Sequence, residues 1–356
     1  MRTILFKDSI AWGDAASDDC VAMANALLKK GKKVIISAFT KNTNFKNFVA
    51  FENLNIQEND TIIFHSFQNP KIVDCIQNTK AKKILRFHNI TPPEFFKFWN
   101  INLAQECQKE IDILKKLKTY FDLSICDSYF NQQDLEKLGF KCPIAVLPIL
   151  MDFRKKRKNI QNKKISDLKN KHFTNILYTG RMAPNKKIED VLKSFAYYQK
   201  YYNKNSRLFL IGGSPCPFYT KMLQQYALHL NIQNLYFTGE KSSADDLLDY
   251  YQAADLYLSL SEHEGFCVPL MEAMHYQTPI LAYDATAVSE TLGCAGVLIP
   301  QDKKNPLLIA GLINEILSNN NLKETIIKKQ NARFLDFDYA QTQQQFLNIL
   351  EKQNVC

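Results

Sequence analysis

Short apolar runs alternate with helical patterns along the whole chain, and this alternation limits the fold more than any other feature of the sequence. Six runs precede residue 150: TILF (3–6), KVIISAF (33–39), TIIFHSF (61–67), KKILRFHN (82–89), LSICDS (123–128) and PIAVLPI (143–149). Their apolar character is continuous rather than alternating, which is typical of parallel strands covered on both faces. The pattern therefore predicts a parallel sheet with helices packed on both sides.

The same pattern starts again after residue 171. The second set of runs is NILYTG (175–180), RLFLIGG (207–213), LYFTG (235–239), LYLSLS (256–261), TPILAYD (278–284) and AGVLIP (295–300). A chain of 356 residues is long enough for about two domains. We predict an α/β protein with two Rossmann-like, doubly wound domains facing a cleft, 1–153 and 172–338. The final segment, 339–356, is helical in pattern and can pack on either domain; completing the first domain is the option we retain.

A basic linker, 154–171, separates the two predicted domains. It carries a net charge of +8, out of +9 for the whole chain. A solvated linker, a contact with an anionic membrane surface and a nucleic-acid site are the three interpretations of such a stretch. The segment has no aromatic residue on which bases could stack. We therefore predict a linker with weak membrane contact and no nucleic-acid partner.

The cellular location is predicted from three further features. The chain has no run of 18 apolar residues, and its start, MRTILFKDSIAWGD, lacks the apolar core of a signal peptide. Nine cysteines are scattered and never spaced C-x-x-C, which indicates reduced thiols. The aromatic run FFKFW (95–99) and the basic KKLK (115–118) offer a membrane contact, with buried core aromatics as the alternative. We expect a cytoplasmic protein, peripheral at the inner face of the membrane.

The segment SEHEGFCVPLMEAM (261–274) carries the most chemistry. It follows an apolar run and opens a helix near Val268, so that Glu264 precedes the helix and Glu272 lies about one turn inside it. Between them, the amides of Gly265, Phe266, Cys267 and Val268 form an anion site at the helix N-terminus. Carboxylates flanking such amides suit a nucleoside diphosphate sugar, whereas a capped, solvated helix start is the structural alternative.

These two glutamates resemble the Glu-x7-Glu signature of family-four glycosyltransferases, a retaining group with the GT-B fold. GRMAPNKKIEDVLKSF (180–195) is similar to the G-R-x-x-P-x-K element of that family. The resemblance implies that Arg181 and Lys186 bind the donor diphosphate, and a surface helix start is the alternative for this short motif. Two cations and a helix N-terminus match the charge of a diphosphate. We expect both cations to be exposed when no donor is bound.

Elements of the first half resemble the same family. AWGDAASDD (11–19) is similar to a loop in which a glycine, here Gly13, lets the backbone approach the donor phosphate. RFHNITPPEFF (86–96) resembles a His-Asn-Ile-Thr-Pro element of enzymes that build surface polysaccharides. The resemblance implies that His88 and Glu264 are the catalytic residues. An ordinary core histidine is the alternative for His88 and for His65. Two departures stand out, since Cys267 and Lys187 occupy positions where the family commonly has glycine.

The resemblance implies a retaining, metal-independent hexosyltransferase without a cofactor. Its donor is a nucleoside diphosphate sugar, a GDP- or UDP-sugar, and GDP-mannose or a related hexose donor is favoured. Its acceptor is a glycan or lipid-linked glycan in surface polysaccharide or lipopolysaccharide biosynthesis. Donor-binding residues are expected to be Gly13, Arg181, Lys186, Gly239, Glu240, Gly265, Phe266, Cys267, Val268 and Glu272. The pair Asp336 and Asp338 matches a short metal motif, but we interpret it as a helix start.

Two other function classes remain open at this point. One is a sugar-nucleotide epimerase of the same fold. The other is a non-enzymatic basic protein that binds membranes or nucleic acid, which would not need Glu264, Glu272, Arg181 and Lys186 together. Release of a nucleoside diphosphate from nucleotide sugars separates these readings.

Overall fold

The computed structural model describes residues 2–11, 13–41, 45–153, 168, 172–239 and 244–353. The chain forms two compact units. The first comprises Met1–Pro92, Gln105–Arg154 and Phe337–Cys356, and the second comprises Pro93–Ala104 and Lys155–Asp336. Residues 93–104 lie within the predicted first domain, 1–153, but cluster with the second unit. The domain limits at 153 and 172 stay predictions, and the basic linker lies outside the described residues apart from Leu168, which is buried.

The first unit is built on a parallel sheet. Its strands are β1 (Thr3–Phe6), β2 (Ser9–Ile10), β3 (Val34–Ala38), β4 (Thr40–Lys41), β5 (Phe48–Ala50), β6 (Thr61–Phe64), β7 (Lys82–Phe87), β8 (Leu123–Cys126) and β9 (Ile144–Val146). Its helices are α1 (Ala15–Lys29), α2 (Pro70–Asn78), α3 (Ile101–Leu117, which begins in the second unit), α4 (Tyr129–Leu138) and α12 (Tyr339–Lys352). The seven-stranded sheet has the order β5-β3-β1-β6-β7-β8-β9, and β2 pairs with β4 separately.

Both faces of this sheet are covered, as the continuous apolar runs predict. In β1, Leu5 belongs to a core cluster that includes α1 and α12, whereas Ile4 and Phe6 belong to a second cluster on the other face. Phe346 and Leu350 of α12 are fully buried in the first of these clusters. Asp338 caps α12 by accepting hydrogen bonds from the amides of residues 340 and 341, so its interpretation as a helix start is confirmed.

The second unit has a parallel sheet of six strands. They are β10 (Thr174–Thr179), β11 (Ser206–Ile211), β12 (Leu235–Gly239), β13 (Leu256–Ser259), β14 (Ile280–Tyr283) and β15 (Val297–Ile299). The helices are α5 (Ile188–Tyr201), α6 (Pro217–His229), α7 (Ala244–Ala253), α8 (Val268–His275), α9 (Val288–Leu292), α10 (Pro306–Ser318) and α11 (Asn320–Phe334). The predicted α/β class and its doubly wound sheets are confirmed.

The strand order of each sheet reverses at one point. The second sheet runs β12-β11-β10-β13-β14-β15, so chain direction across the sheet reverses between β10 and β13. The first sheet reverses in the same way between β1 and β6. In doubly wound sheets the crevice at the carboxyl ends of the strands beside this reversal is where ligands bind. The glycine-arginine motif predicted from the sequence follows β10, and the two-glutamate segment follows β13 and continues into α8.

Residues 93–104 pack on the second unit through aromatic contacts. The Trp99 ring lies 5.0 Å from that of Tyr219 and 6.0 Å from that of Phe218, between ring centres. Asn100 Nδ2 donates to the carbonyl oxygen of Pro215 over 3.2 Å. These contacts attach a segment from the first half of the chain to the start of α6. In the described part of the chain, no helix combines the length and the apolar content needed to cross a bilayer.

Candidate active site

Two loops meet beside the strand reversal of the second sheet. The first leads from β10 through Gly180 to a short 3-10 turn, Pro184–Lys186, and the second leads from β13 to α8. Asn185 ties them together, because its carbonyl oxygen accepts from the Glu262 amide over 2.9 Å. Its side-chain Nδ2 also donates to the carbonyl oxygen of His263 over 3.1 Å. The sequence motifs, 78 residues apart, thereby form one local structure.

Lys186 and Glu264 form an ion pair at the junction of these loops. Lys186 Nζ lies 2.7 Å from both carboxylate oxygens of Glu264. The exposed fractions are only 14% for the Lys186 side chain and 10% for that of Glu264. The expectation that Lys186 is exposed in the empty site is therefore wrong, because the lysine reaches the nearest carboxylate rather than water.

The backbone of Glu264 is fixed independently of its side chain. Its amide donates to Thr286 Oγ1 over 2.8 Å, and the Thr286 hydroxyl donates to its carbonyl oxygen over 2.8 Å. His263 is buried next to it, and its ring lies 6.0 Å from that of Phe95. Burial lowers the pKa of His263 to about 4, so this imidazole is neutral at pH 7. A neutral, packed neighbour leaves Glu264 with Lys186 as its charged partner.

Arg181 differs from Lys186. The start of the first loop is hydrogen-bonded to the end of β11, because the Gly180 amide donates to the Ile211 carbonyl oxygen over 2.8 Å. Arg181 follows at once and is exposed. Among the described residues, none forms a hydrogen bond or an ion pair with its guanidinium. The expected exposure of Arg181 is thus confirmed, and its five donors are available to an anion.

Glu272 lies in α8, where the sequence predicts it. Its Oε2 accepts from the hydroxyl of Tyr251 over 2.6 Å, and the same hydroxyl lies 2.6 Å from Thr179 Oγ1. Tyr251 and Thr179 are both buried. Thr179 ends β10 and Tyr251 belongs to α7, so three separate elements meet at Glu272. Neither buried partner was identified from the sequence.

Helix α8 begins at Val268, as predicted, and Pro269 stands at its first turn. Phe266 and Cys267 are buried, while Gly265 and Val268 are partly exposed. Burial raises the pKa of the Cys267 thiol well above its usual range, which keeps the sulfur uncharged. The backbone amides of these four residues lie at the N-terminus of the helix, where an anion is favoured by the helix dipole.

Gly239 ends β12, and its carbonyl oxygen accepts from the Gly212 amide over 3.1 Å. Gly212 in turn lies against the motif glycine: a Cβ there would come within 1.9 Å of the Gly180 carbonyl oxygen, at a φ of +147°. Glycine is therefore required at position 212, because the two loops approach each other closely there. Glu240, expected beside the base, lies outside the described residues.

In the first unit, Gly13 and His88 follow two different strands, β2 and β7. Gly13 follows β2 with a φ of +76°, a left-handed conformation in which glycine is favoured. His88 follows β7, and its Nδ1 lies 3.0 Å from Asp127 Oδ2. Its Nε2 lies 3.0 Å from His65 Nδ1. Because a carboxylate only accepts, His88 carries its proton on Nδ1, and His65 donates to Nε2.

A buried ion pair supports this histidine pair. Arg86 is fully buried between Asp19 and Asp127, with 2.8 Å separating its nitrogens from one oxygen of each. Burial lowers the pKa of His65 well below its usual range, and so His65 is neutral. Ligand atoms of Asp19, His65 and His88 all lie within 4.8 Å of one another. However, both Asp19 oxygens already accept, from Arg86 Nε over 2.8 Å and from the Leu150 amide over 2.7 Å. We interpret the group as a hydrogen-bonded network, and the absence of a metal stays a prediction.

Comparison with known proteins identifies the family. Residues 159–333 match the family model described as "Glycosyl transferases group 1". These residues, just under half of the chain, belong to this glycosyltransferase family. The resemblance inferred from the Glu-x7-Glu and G-R-x-x-P-x-K segments is thereby confirmed.

A curated relative of this glycosyltransferase is alpha-monoglucosyldiacylglycerol synthase of Streptococcus pneumoniae (strain ATCC BAA-255 / R6). The two are 28% identical over 166 residues, which make up 45% of this chain and 36% of the relative. The match thus spans about a third of the length of that relative.

Solved structures share the fold of this glycosyltransferase over nearly the whole chain. HepE of Anabaena, in complex with UDP and glucose, has a TM-score of 0.77 at 18% identity, with 99% of this chain and 100% of that chain covered. WaaG, a glycosyltransferase involved in lipopolysaccharide biosynthesis, has a TM-score of 0.73 at 12% identity, with 98% and 99% covered. Sucrose-phosphate synthase of Thermosynechococcus elongatus has a TM-score of 0.74 at 16% identity, with 99% of both chains covered. The GT-B fold predicted from the sequence is confirmed.

The two departures from the family pattern have a common structural explanation. Cys267 has a φ of +73° and Lys187 a φ of +50°, and each immediately precedes a helix of the site. Glycine is favoured at such positions because side chains are strained in the left-handed region. This glycosyltransferase therefore has a left-handed backbone at both positions with cysteine and lysine in place of glycine. Neither substitution removes a charged group from the site.

Proposed function

We propose that this glycosyltransferase transfers a hexose from a nucleoside diphosphate sugar to a glycan or lipid-linked acceptor with retention of anomeric configuration. The observation that carries the proposal is the ion pair of Lys186 with Glu264 beside the strand reversal, in the loop that also carries the exposed Arg181. Two cations and the amides before α8 suit the charge of a diphosphate. Glu264, adjacent to them, suits the sugar that the diphosphate carries.

The catalytic contribution of these residues is electrostatic. As the bond between the anomeric carbon and the diphosphate breaks, negative charge grows on the diphosphate and positive charge on the sugar. Arg181, Lys186 and the amides of 265–268 would stabilise the leaving group, and Glu264 would stabilise the sugar. Lys186 has three donors, so it can keep Glu264 as a partner while it binds a phosphate oxygen. Glu272 would hold the ribose.

His88 is the proposed catalytic residue of the first unit. Its Nδ1 donates to Asp127 and its Nε2 accepts from His65, at 3.0 Å each. A ligand oxygen that touches Nε2 must therefore replace His65 or share the site with it. The His88 side chain is 15% exposed, so a small part of the ring is accessible to a ligand.

The donor sugar is the finer part of the proposal. The His-Asn-Ile-Thr-Pro resemblance favours mannose and GDP, whereas the names of the relatives refer to glucose: one makes a monoglucosyl lipid and another was crystallised with UDP-glucose. We propose UDP-glucose as the first donor to test and GDP-mannose as the second. The lipid product named for the streptococcal relative supports a lipid or lipid-linked acceptor.

An exposed apolar surface supports a membrane-associated acceptor. Phe98 is 83% exposed, Phe218 64% and Ile101 56%, and all three lie around Trp99 or at the start of α3. Lys97 and Lys221 are exposed beside them in the sequence. Exposed aromatics next to lysines are typical of surfaces that contact anionic membranes. We propose that this surface holds the enzyme at the membrane.

The proposal is tested by measuring nucleoside diphosphate release from UDP-glucose and GDP-mannose, with and without a diacylglycerol glycolipid acceptor. Acceptor-dependent release with formation of a new glycolipid is expected. Conversion of the nucleotide sugar to its epimer without release would support the epimerase alternative. If neither reaction occurs with these or other nucleotide sugars, a non-enzymatic role replaces the proposal.

A further inference from the structure

Tyr251 contacts Glu272, the carboxylate proposed to bind ribose, and is not among the site residues predicted from the sequence. It belongs to α7, and its ring is fully buried, stacked on that of Tyr257 at 6.0 Å between centres. Its hydroxyl lies 2.6 Å from Glu272 Oε2 and 2.6 Å from Thr179 Oγ1. The hydroxyl therefore joins β10 to α8 through a helix that contains no residue of the site.

The direction of these hydrogen bonds follows from chemistry. A glutamate carboxylate only accepts, so the single proton of Tyr251 goes to Glu272 Oε2. Thr179 must then donate its own proton to the oxygen of Tyr251. Burial, and then the charge of Glu272, raise the pKa of Tyr251 well above its usual range, so the phenol keeps its proton. The three groups form a directed chain from Thr179 through Tyr251 to Glu272.

A hydrogen bond to a charged acceptor is stronger than one between neutral groups, and a chain of donors strengthens each member. Glutamate has three side-chain torsions, and a free glutamate on a helix samples several rotamers. The contact through Oε2 holds Glu272 in one of them before any ligand arrives. A carboxylate can accept about four hydrogen bonds, so it retains capacity for the hydroxyls of a ribose.

We propose that Tyr251 is a positioning residue that pre-organises Glu272 for the ribose of the donor, with Thr179 as its support. This inference rests on the proposed function, in which Glu272 binds ribose. Pre-organisation raises affinity because the ordering of the side chain takes place before binding. The consequence is selectivity: the enzyme distinguishes a ribonucleotide from its 2′-deoxy analogue in part through Tyr251, which never touches the nucleotide.

The test is calorimetric titration of the purified full chain with UDP, GDP and ADP. The nucleotide bound most tightly is then compared with its 2′-deoxy analogue. For the unmodified protein we expect the deoxy compound to bind about ten-fold more weakly, the loss of one hydrogen bond to a charged group. In Tyr251→Phe the ribonucleotide should bind about three- to ten-fold more weakly. The deoxy compound should be nearly unaffected, so that the ratio of the two dissociation constants falls by about the same three- to ten-fold.

Tyr257→Phe is the matched control. Tyr257 is as buried as Tyr251, and its hydroxyl donates to the Thr179 carbonyl oxygen over 3.2 Å. It should lower stability by a similar amount and leave the ratio unchanged. Thr179→Val removes the supporting donor, should lower the ratio less than Tyr251→Phe, and serves as the test variant if Tyr251→Phe does not fold.

The outcomes separate the two proposals. If the unmodified protein binds none of the three nucleotides, the proposed function fails and this inference fails with it. If it binds one of them with ribose selectivity, and the variants leave that selectivity unchanged, the positioning role of Tyr251 is overturned while the donor site stands. A fall in the ratio with Tyr257→Phe equal to that with Tyr251→Phe would also overturn it, since the effect would then be one of general packing.

Discussion

Lys186 Nζ lies 2.7 Å from both carboxylate oxygens of Glu264, although the two residues are 78 positions apart. The proposed diphosphate-binding lysine and the proposed sugar-binding carboxylate are thus a single charge-neutral pair before a donor binds. Arg181 is the exposed cation nearby in the sequence. Removal of the Lys186 side chain would therefore leave the Glu264 carboxylate without its partner. Removal of the Arg181 side chain would break no ion pair among the described residues.

Alanine at either cation should weaken the donor interaction, but only one change should affect folding. Arg181→Ala and Lys186→Ala should each lower kcat/KM about ten- to hundred-fold, the loss of one charge-assisted contact. Lys186→Ala should also lower the free energy of unfolding by about 1–3 kcal/mol, because Glu264 loses its partner in a mostly buried place. Urea denaturation and steady-state kinetics measure both effects, with the exposed Lys328→Ala as control. Equal stability of the Arg181 and Lys186 variants would contradict the ion pair.

The two glutamates should differ in kinetic signature. Glu264→Gln should lower kcat about hundred-fold or more with a small change in donor KM, because its charge matters most in the transition state. Glu272→Gln should mainly raise donor KM, by about ten-fold, because a ribose contact is made equally in the ground state. The anomeric proton coupling of the product should show the configuration of the donor. Identical signatures for the two variants would overturn the division of roles, and an inverted product would overturn retention.

Stability should decrease as the pH falls through the range in which histidine titrates. His263 has a pKa of about 4 when folded, against about 6.5 when unfolded. Below pH 6.5 the unfolded chain therefore binds a proton that the folded chain excludes, and the stability lost by pH 4.5 is about 2–3 kcal/mol. His263→Gln should flatten this slope in urea denaturation at pH 7 and pH 4.5. Replacement of the exposed His229 should leave it unchanged, and an unaltered slope in His263→Gln would refute the assignment.

Two glycines near the site should tolerate alanine very differently. Gly212→Ala would bring a Cβ within 1.9 Å of the Gly180 carbonyl oxygen, so the backbone must shift. Gly239→Ala meets no atom within 4 Å and incurs only the strain of a φ of +65°, about 1–2 kcal/mol. Thermal unfolding should show a loss at least twice as large for Gly212→Ala. Similar losses for both variants would mean that the two loops approach less closely than described.

Membrane binding should depend on salt and on Phe98. The enzyme should bind anionic vesicles weakly, and the bound fraction should fall as the salt concentration rises, because the attraction is partly between charges. Phe98→Ser should reduce binding several-fold at low salt, since its ring is 83% exposed. Tyr129→Ser, at an exposed aromatic of the first unit, is the control. Binding that ignores both salt and Phe98 would exclude this surface as the contact.

The sequence predicted the strands and the polar residues that follow them, because buried parallel strands and their helix starts are local patterns. It did not predict which side chains pair. Lys186 finds Glu264, and Glu272 finds Tyr251, only because the reversal between β10 and β13 brings distant loops together. His65 likewise meets His88 across neighbouring strands. For the same reason the sequence did not indicate that residues 93–104 cluster with the second unit. Aromatic residues in a loop do not reveal the surface on which they pack.

The placement of α12 has a consequence for how the chain folds during synthesis. Phe346 and Leu350 are fully buried in the core cluster of the first unit, against α1. A ribosome makes α12 more than 300 residues after α1, so the side of α1 that α12 covers stays uncovered while those residues are added. The first unit can complete its core only after α12 has emerged, and a premature stop before residue 339 would leave that core without one of its walls.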